Sequence, residues 1–294
     1  MADNREQIAN GRQKIRTGSM TPNAADRITK KDGNDLRMAV YLLEKPGLGI
    51  RLMNLLGYPI EGIIKVLPTW VGKSIGNTAT KALGTAFYTA LSTMDKKKQG
   101  RPFRWVHRAM VLVSGAIGGF FGLPGLIFEL PISTTLMLRS IADIARSEGE
   151  DLSSIDTHLA CATVFALGGR SKGDNAAETA YYAVRTALTR TLSEAAEFAA
   201  ERGIVEEGAP IVIRVMANLA SRFGVIVTDK AAAEMVPIMG ALGGASINLL
   251  FISHFQAAAQ GDFIVRRLER KYGGEFVKRE YEKVLAELRD GFNQ

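Results

Sequence analysis

Two stretches without an ionisable side chain limit what this chain can fold into. Ala109–Phe128 (AMVLVSGAIGGFFGLPGLIF) runs for twenty residues and Met235–Ser253 (MVPIMGALGGASINLLFIS) for nineteen. Twenty mainly apolar residues reach the length of a membrane span. The first stretch is a poor straight span, because Leu123-Pro124-Gly125 interrupts it and Pro131 follows six residues after Gly125. A proline removes a backbone donor and breaks or kinks a helix, so a helical hairpin or re-entrant pair turning near Leu123–Gly125 is expected. Both stretches carry the same theme, Gly115-Ala-Ile-Gly-Gly119 and Gly240-Ala-Leu-Gly-Gly244, 125 positions apart. Small residues recur four apart at Ser114/Gly118/Gly122, Gly115/Gly119 and Gly240/Gly244. Such spacing lets helices approach closely, so the two Gly-rich helices are expected to pack on each other or on lipid.

The remaining chain reads as helical, and no alternating strand is visible. The fold class is all-α, a multi-helix bundle with two Gly-rich apolar hairpins. Residues 1–35 lack apolar periodicity and are expected to form a polar, disordered tail. Residues 36–275 form the helical domain, and 276–294 a charged C-terminal helix. Thr69–Met94 fits one helix, with Gly72, Gly76, Ala79, Ala82 and Ala86 near one face as a path for close approach. Arg266–Phe292 reads as a charged amphipathic helix or helix pair.

Lysine and arginine exceed aspartate and glutamate by 37 to 30, a formal charge of +7 that favours anionic partners. Much of the excess is local. Lys96, Lys97, Lys98, Arg101, Arg104 and Arg108 fall within thirteen residues, interleaved with Phe103 and Trp105, directly before the first apolar stretch. Each cation near an anionic surface contributes roughly 1 kcal/mol. No nucleic-acid module is present, so acidic lipid is the expected partner rather than nucleic acid. Lys96, Lys97, Lys98, Arg101, Phe103, Arg104, Trp105 and Arg108 are therefore the expected membrane-contact residues. Gly118, Gly122, Pro124, Gly243 and Gly244 join them from the apolar stretches.

Catalytic chemistry finds no anchor. Gly72-Lys73-Ser74 has Leu67 where a phosphate-binding loop needs glycine, and Pro68 sits inside the would-be loop. The three histidines, His107, His158 and His254, show no metal-binding spacing, and there is no nucleophile elbow. The single Cys161 excludes an intrachain disulfide framework and a multi-cysteine zinc module, and it fits a reducing, cytoplasmic setting. No cofactor is implied. Between Arg108 and Arg139 the only ionisable side chain is Glu129. Glu129, Arg139, Asp143 and His254 are the candidates for a polar pocket at the end of the apolar region. Arg139 and Asp143 are spaced for an i,i+4 ion pair, and a buried Glu129 requires a partner.

These residues together resemble the EcsC family of bacterial proteins. The resemblance rests on Trp105–Gly149, with Gly122-Leu-Pro-Gly125, Glu129-Leu-Pro131 and Leu138-Arg139-Ser-Ile-Ala-Asp-Ile-Ala145. It continues through Val236–Gly244, Asn248, His254-Phe-Gln256, Gly261-Asp-Phe263 and Arg266-Arg-Leu-Glu-Arg-Lys-Tyr-Gly273, spanning roughly residues 55–275. The acidic position before the second proline is more typically aspartate in the family and is Glu129 here. The family lacks an agreed activity; its name comes from a gene beside an ABC transporter, and some members are labelled peptidases. It is distantly similar to the senescence and spartin-type domains that associate with lipid.

The expectation is a non-enzymatic protein of the bacterial cytosolic face that binds lipid or attaches to membrane, peripherally or by re-entrant hairpins. A hydrolase using His254 with Glu129 or Asp143 is the alternative. An accessory role beside a membrane transporter rests on the family name alone.

Overall fold

The computed structural model describes residues 28–44, 47–57, 60–65, 67, 69–92, 104–121, 123–167, 180–202, 210–235 and 240–292. Every regular element among them is helical, as the missing alternation predicts. In chain order they are α1 (Lys30–Leu43), α2 (Leu48–Leu56), α3 (Ile60–Lys65), α4 (Thr69–Ser92), α5 (Arg104–Phe121) and α6 (Leu123–Ser147). There follow α7 (Ile155–Thr163), continued by a 3-10 turn (Val164–Ala166), then α8 (Ala180–Arg202), α9 (Pro210–Glu234), α10 (Gly240–Tyr272) and α11 (Gly274–Phe292).

The bundle is organised around α10, whose 33 residues touch α1, α2, α5, α6, α9 and α11. A helix surrounded on all sides must be apolar or small on all sides. Ile247, Phe251, Ile252, Phe255, Ala259 and Phe263 of α10 are fully buried. Phe251 and Phe255 join Phe223 of α9 and Phe165 of the 3-10 turn in an aromatic cluster with centroids 4.9–6.2 Å apart.

The first uncharged stretch folds as the expected hairpin. Its break falls between Phe121 and Leu123, just ahead of the expected turn, and α5 packs on α6. Pro124 lies at the second position of α6, where its missing N–H would have been unpaired in any case. Pro131 does not end α6, which continues to Ser147, and the Thr135 hydroxyl donates to the Pro131 carbonyl at 2.8 Å. Pro124–Ser147 is long and apolar enough to cross a membrane, the one such helix among the described residues, but more than half of it is buried in the bundle. The two Gly-rich helices do pack on each other: α5 and α10 form the most extensive helix pair. At Gly115 the helices are so close that a Cβ would lie 2.3–2.6 Å from the Asn248 side chain.

Two expectations need correction. Residues 30–35, expected in the tail, are helical: α1 begins at Lys30, capped by the Thr29 hydroxyl accepting from the Asp32 N–H at 3.2 Å, and residues 1–27 lie outside the described residues. This part of the sequence looks like tail because two of its charges, Asp32 and Asp35, are paired with α10 rather than left to water. Asp32 is buried and accepts from Lys271 at 2.6 Å and from the Tyr272 hydroxyl at 2.7 Å. On α4 the buried stripe is Ile75, Ala79, Ala82, Leu83 and Ala86, whereas a Cβ on Gly76 would meet nothing within 4 Å. Ile75 takes the register that Gly76 was expected to occupy, and one residue is a 100° rotation. The charged end splits into a helix pair at Gly273, whose φ of +87° suits glycine.

The glycines thus divide by what surrounds them. Gly115→Ala is expected to lower stability by about 1–3 kcal/mol, because Asn248 must move. Gly84→Ala, with open space around it, should gain up to about 1 kcal/mol from helix propensity. Urea denaturation midpoints of the two variants, moving in opposite directions, are the measurement.

Candidate functional site

The α5–α6 hairpin presents two contrasting faces. Val111, Gly115, Leu126, Leu130 and Met137 are turned into the bundle. Outward, Trp105, Leu112 and Val113 are exposed along α5, with Trp105 at 73%. Pro124, Phe128 and Ile132, four residues apart, are exposed along α6, with Phe128 at 78%. Large aromatic and β-branched side chains are thus left in water on both helices of the hairpin.

The basic residues at the start of α5 are partly committed to packing. Arg108 Nε donates to Gln256 Oε1 at 2.6 Å, and Gln256 Nε2 donates to Ser140 Oγ at 2.8 Å and to the Arg104 carbonyl at 3.2 Å. Burial, and then the neighbouring Arg108 charge, pull the Arg104 guanidinium below its usual range. Gly243 and Gly244 are buried within the bundle, so their contacts here are with protein. Lys96, Lys97, Lys98, Arg101, Phe103 and Gly122 lie outside the described residues, as do the surroundings of Gly118.

Beneath the hairpin lies a buried charged cluster. Glu129, expected to need a partner, finds Lys230 of α9, whose side chain is 0% exposed and whose Nζ donates to Glu129 Oε2. Asn248 Nδ2 donates to Glu129 Oε1 at 2.7 Å and to the Val111 carbonyl at 3.1 Å, and Ser114 Oγ donates to Glu129 Oε1 at 3.3 Å. Four helices, α5, α6, α9 and α10, thus meet at one carboxylate. Glu234, one turn beyond Lys230, lies 3.7 Å from its Nζ, and Lys230 also sits 5.1 Å from the Phe251 ring centroid. Burial would raise Glu129, but the charge and hydrogen bonds of Lys230, with Asn248, hold it below its usual range. Glu234 has no such set of donors: burial dominates, and its pKa is raised to about 7. Its Oε2 and the Asn248 Oδ1 are buried without a hydrogen-bond partner.

The other expected pocket residues do not join Glu129. Asp143 lies fourteen residues further along α6, about 21 Å by helix rise. Arg146 donates to it at 2.6 Å, and His107 Nδ1 lies 3.8 Å away. Arg139 lies half-buried one turn before Asp143. His254 is buried against Phe255, 5.2 Å between centroids. Burial first, then the Arg51 charge, lower its pKa to about 4, so the ring is neutral at neutral pH. Glu129 is thus met by Lys230, Asn248 and Ser114, and Asp143 by Arg146 and His107. Cys161 is buried, and burial pushes its thiol far up. Among the described residues no group of three or more His, Cys, Asp or Glu could hold a metal.

Lys230 and Glu234 were missed from sequence. Their signal is an i,i+4 charge pair enclosing Ala231, Ala232 and Ala233, all fully buried, which resembles an ordinary solvated pair unless the alanines are read as core. Compared with known proteins, residues 61–268 match the model of a family described as the EcsC protein family. No curated protein and no solved structure matches the chain.

Two measurements test the cluster. Lys230→Met leaves Glu129 buried without its cation and is expected to cost about 3–5 kcal/mol, part of which a Lys230→Met/Glu129→Leu double variant restores. As pH rises from 4.5, the usual value, to about 7, unfolded Glu234 loses its proton while the folded residue keeps it, so folding loses stability across that window. Glu234→Gln should match the parent near pH 4 and exceed it by about 2–4 kcal/mol at pH 8, read from chemical denaturation.

Proposed function

The chain belongs to the EcsC protein family, and from that premise we propose that it is a non-enzymatic protein attaching peripherally to anionic membrane at the cytoplasmic side. The outer face of the α5–α6 hairpin is the contact surface. The observation that carries this function is the exposure of Trp105, Val113, Phe128 and Ile132 on two consecutive helices whose inner faces are fully packed. Tryptophan is favoured at the boundary between headgroups and acyl chains, and β-branched and aromatic residues beside it add apolar contact. The basic sequence from Lys96 to Arg108 supplies the attraction that one apolar face alone lacks, at roughly 1 kcal/mol per cation near the surface.

Attachment from the side suits this architecture better than insertion of the Gly-rich pair. The α5–α10 contact is filled by protein, with Asn248 against Gly115, and opening it would expose the Glu129–Lys230 pair to hydrocarbon, where an uncompensated charge is costly. The Gly-rich segments therefore serve to seat the hairpin on α10, and the hairpin's opposite face is free to meet lipid headgroups.

Flotation with vesicles of phosphatidylglycerol and phosphatidylcholine tests the proposal. The parent chain is expected to float with the anionic vesicles, to remain behind with phosphatidylcholine alone, and to be released by high salt. Val113→Glu with Phe128→Glu, both exposed positions, should fold normally by circular dichroism and weaken vesicle binding by more than roughly tenfold. A folded parent protein that ignores anionic vesicles would exclude this function.

A further inference from the structure

Gln256, which follows His254 and Phe255 in the sequence motif of α10, takes no part in the exposed apolar face, yet it is 2% exposed and makes three hydrogen bonds. Its Oε1 accepts from Arg108 Nε at 2.6 Å, and its Nε2 donates to the Arg104 carbonyl at 3.2 Å and to Ser140 Oγ at 2.8 Å. One buried side chain of α10 thus holds two arginines of α5, one by its guanidinium and the other by its backbone. The two arginines are four residues apart, so they share one side of the helix.

Neither arginine has an ion-pair partner among the described residues. Arg108 is exposed, and the partner of its Nε is a neutral amide, which leaves its two η nitrogens to a ligand. Arg104 is half-buried, and its Nε is enclosed without a hydrogen-bond partner. Burial and the Arg108 charge both oppose the Arg104 cation, and the more weakly acting charge of Glu148 favours it. That carboxylate is already taken, by Arg267 Nε at 2.9 Å and by Gln260 Nε2 at 2.5 Å. Asp143, on the last turns of α6, holds Arg146 at 2.6 Å and has His107 Nδ1 3.8 Å away. The acids nearest this end of α5 are thus engaged elsewhere, and two like charges stand side by side.

Two adjacent guanidiniums, one partly removed from water and short of acceptors, are unfavourable until an anion joins them. A phosphate monoester matches them: it carries up to two negative charges against two cations and presents three acceptor oxygens, and arginine is suited to phosphate recognition. We propose that Arg104 and Arg108, positioned by Gln256, form a binding site for a phosphate monoester. Trp105, between them in sequence, is 73% exposed, and Leu112 is exposed one turn after Arg108. The site therefore borders the apolar face, and a lipid carrying the monoester, phosphatidic acid, is the source that fits it. As a lipid site it rests on the membrane reading; as a phosphate site it does not.

The full chain is floated with phosphatidylcholine vesicles carrying phosphatidic acid or phosphatidylglycerol, matched in zeta potential, and is titrated with glycerol 3-phosphate or acetate while its arginine Nε–H signals are followed. Binding about tenfold tighter to phosphatidic acid, and saturable shifts with glycerol 3-phosphate but not with acetate, are the expected results. Arg104→Gln with Arg108→Gln should abolish both discriminations. Arg190→Gln with Arg214→Gln, an equal loss of charge at exposed positions, should keep them. If the first pair does not fold, Arg104→Lys with Arg108→Lys retains the charge without the planar fork and should lower the phosphatidic acid preference about fivefold. Saturable binding of glycerol 3-phosphate without a preference between the vesicles keeps the phosphate site and removes its lipid source. A parent that floats equally with both lipids and shows no saturable shift overturns the proposal and leaves membrane attachment standing. A phosphate preference that survives in the folded Arg104 and Arg108 variants overturns it equally.

Discussion

The buried ion pair between Glu129 and Lys230 is the interaction on which this bundle depends most. It joins α6 to α9, and Asn248 and Ser114 extend it to α10 and α5. Removing two charges from water costs several kcal/mol each, repaid only where geometry and additional hydrogen bonds are good. The pair therefore selects an arrangement rather than simply adding stability: four helices must arrive in one register before Glu129 has its full set of partners. Gly115 belongs to the same device, because only a missing side chain lets Asn248 reach both the carboxylate and the Val111 carbonyl.

The other end of the molecule is held differently. Arg266, Arg267, Arg270 and Lys271, successive turns of α10, are met by Glu150, Glu148, Asp35 and Asp32. These pairs are partly open to water, where each contributes little by itself. Their value lies in number and in spacing, since α10 offers a ladder of cations to which α1 and the turn after α6 must both align. One end of the bundle is thus specified by a few dry contacts and the other by many wet ones.

The fold was readable where packing demands are extreme. A glycine theme repeated in two uncharged runs requires close helix contact, and α5 and α10 make it. Pro124 and Gly125 announced a hairpin, placed within a few residues of the observed break between Phe121 and Leu123. Legibility failed where a charge is used inside the protein. Asp32 and Asp35 made the start of α1 resemble a solvated tail, and Lys230 with Glu234 resembled a surface pair. Charge in a sequence carries no mark of which side of a helix it occupies when the surrounding residues are alanine or other charges. Glu129 was the exception, because its isolation among twenty-nine uncharged residues left only the interior for it. Its partner, 101 residues away, had no local signature.

The attachment of α1 to the end of α10 bears on how the chain is made. Asp32 is joined to Lys271 and Tyr272 across 239 and 240 residues of sequence, and α10 itself is the element around which the earlier helices assemble. During synthesis, from the amino terminus at about 5–20 residues per second, α1, α2, α5, α6 and α9 all emerge with the face meant for α10 uncovered. The architecture therefore closes last at its centre. For the whole of that interval the nascent protein presents its apolar surfaces to the cell, which makes the period of translation, rather than the finished fold, its most exposed state.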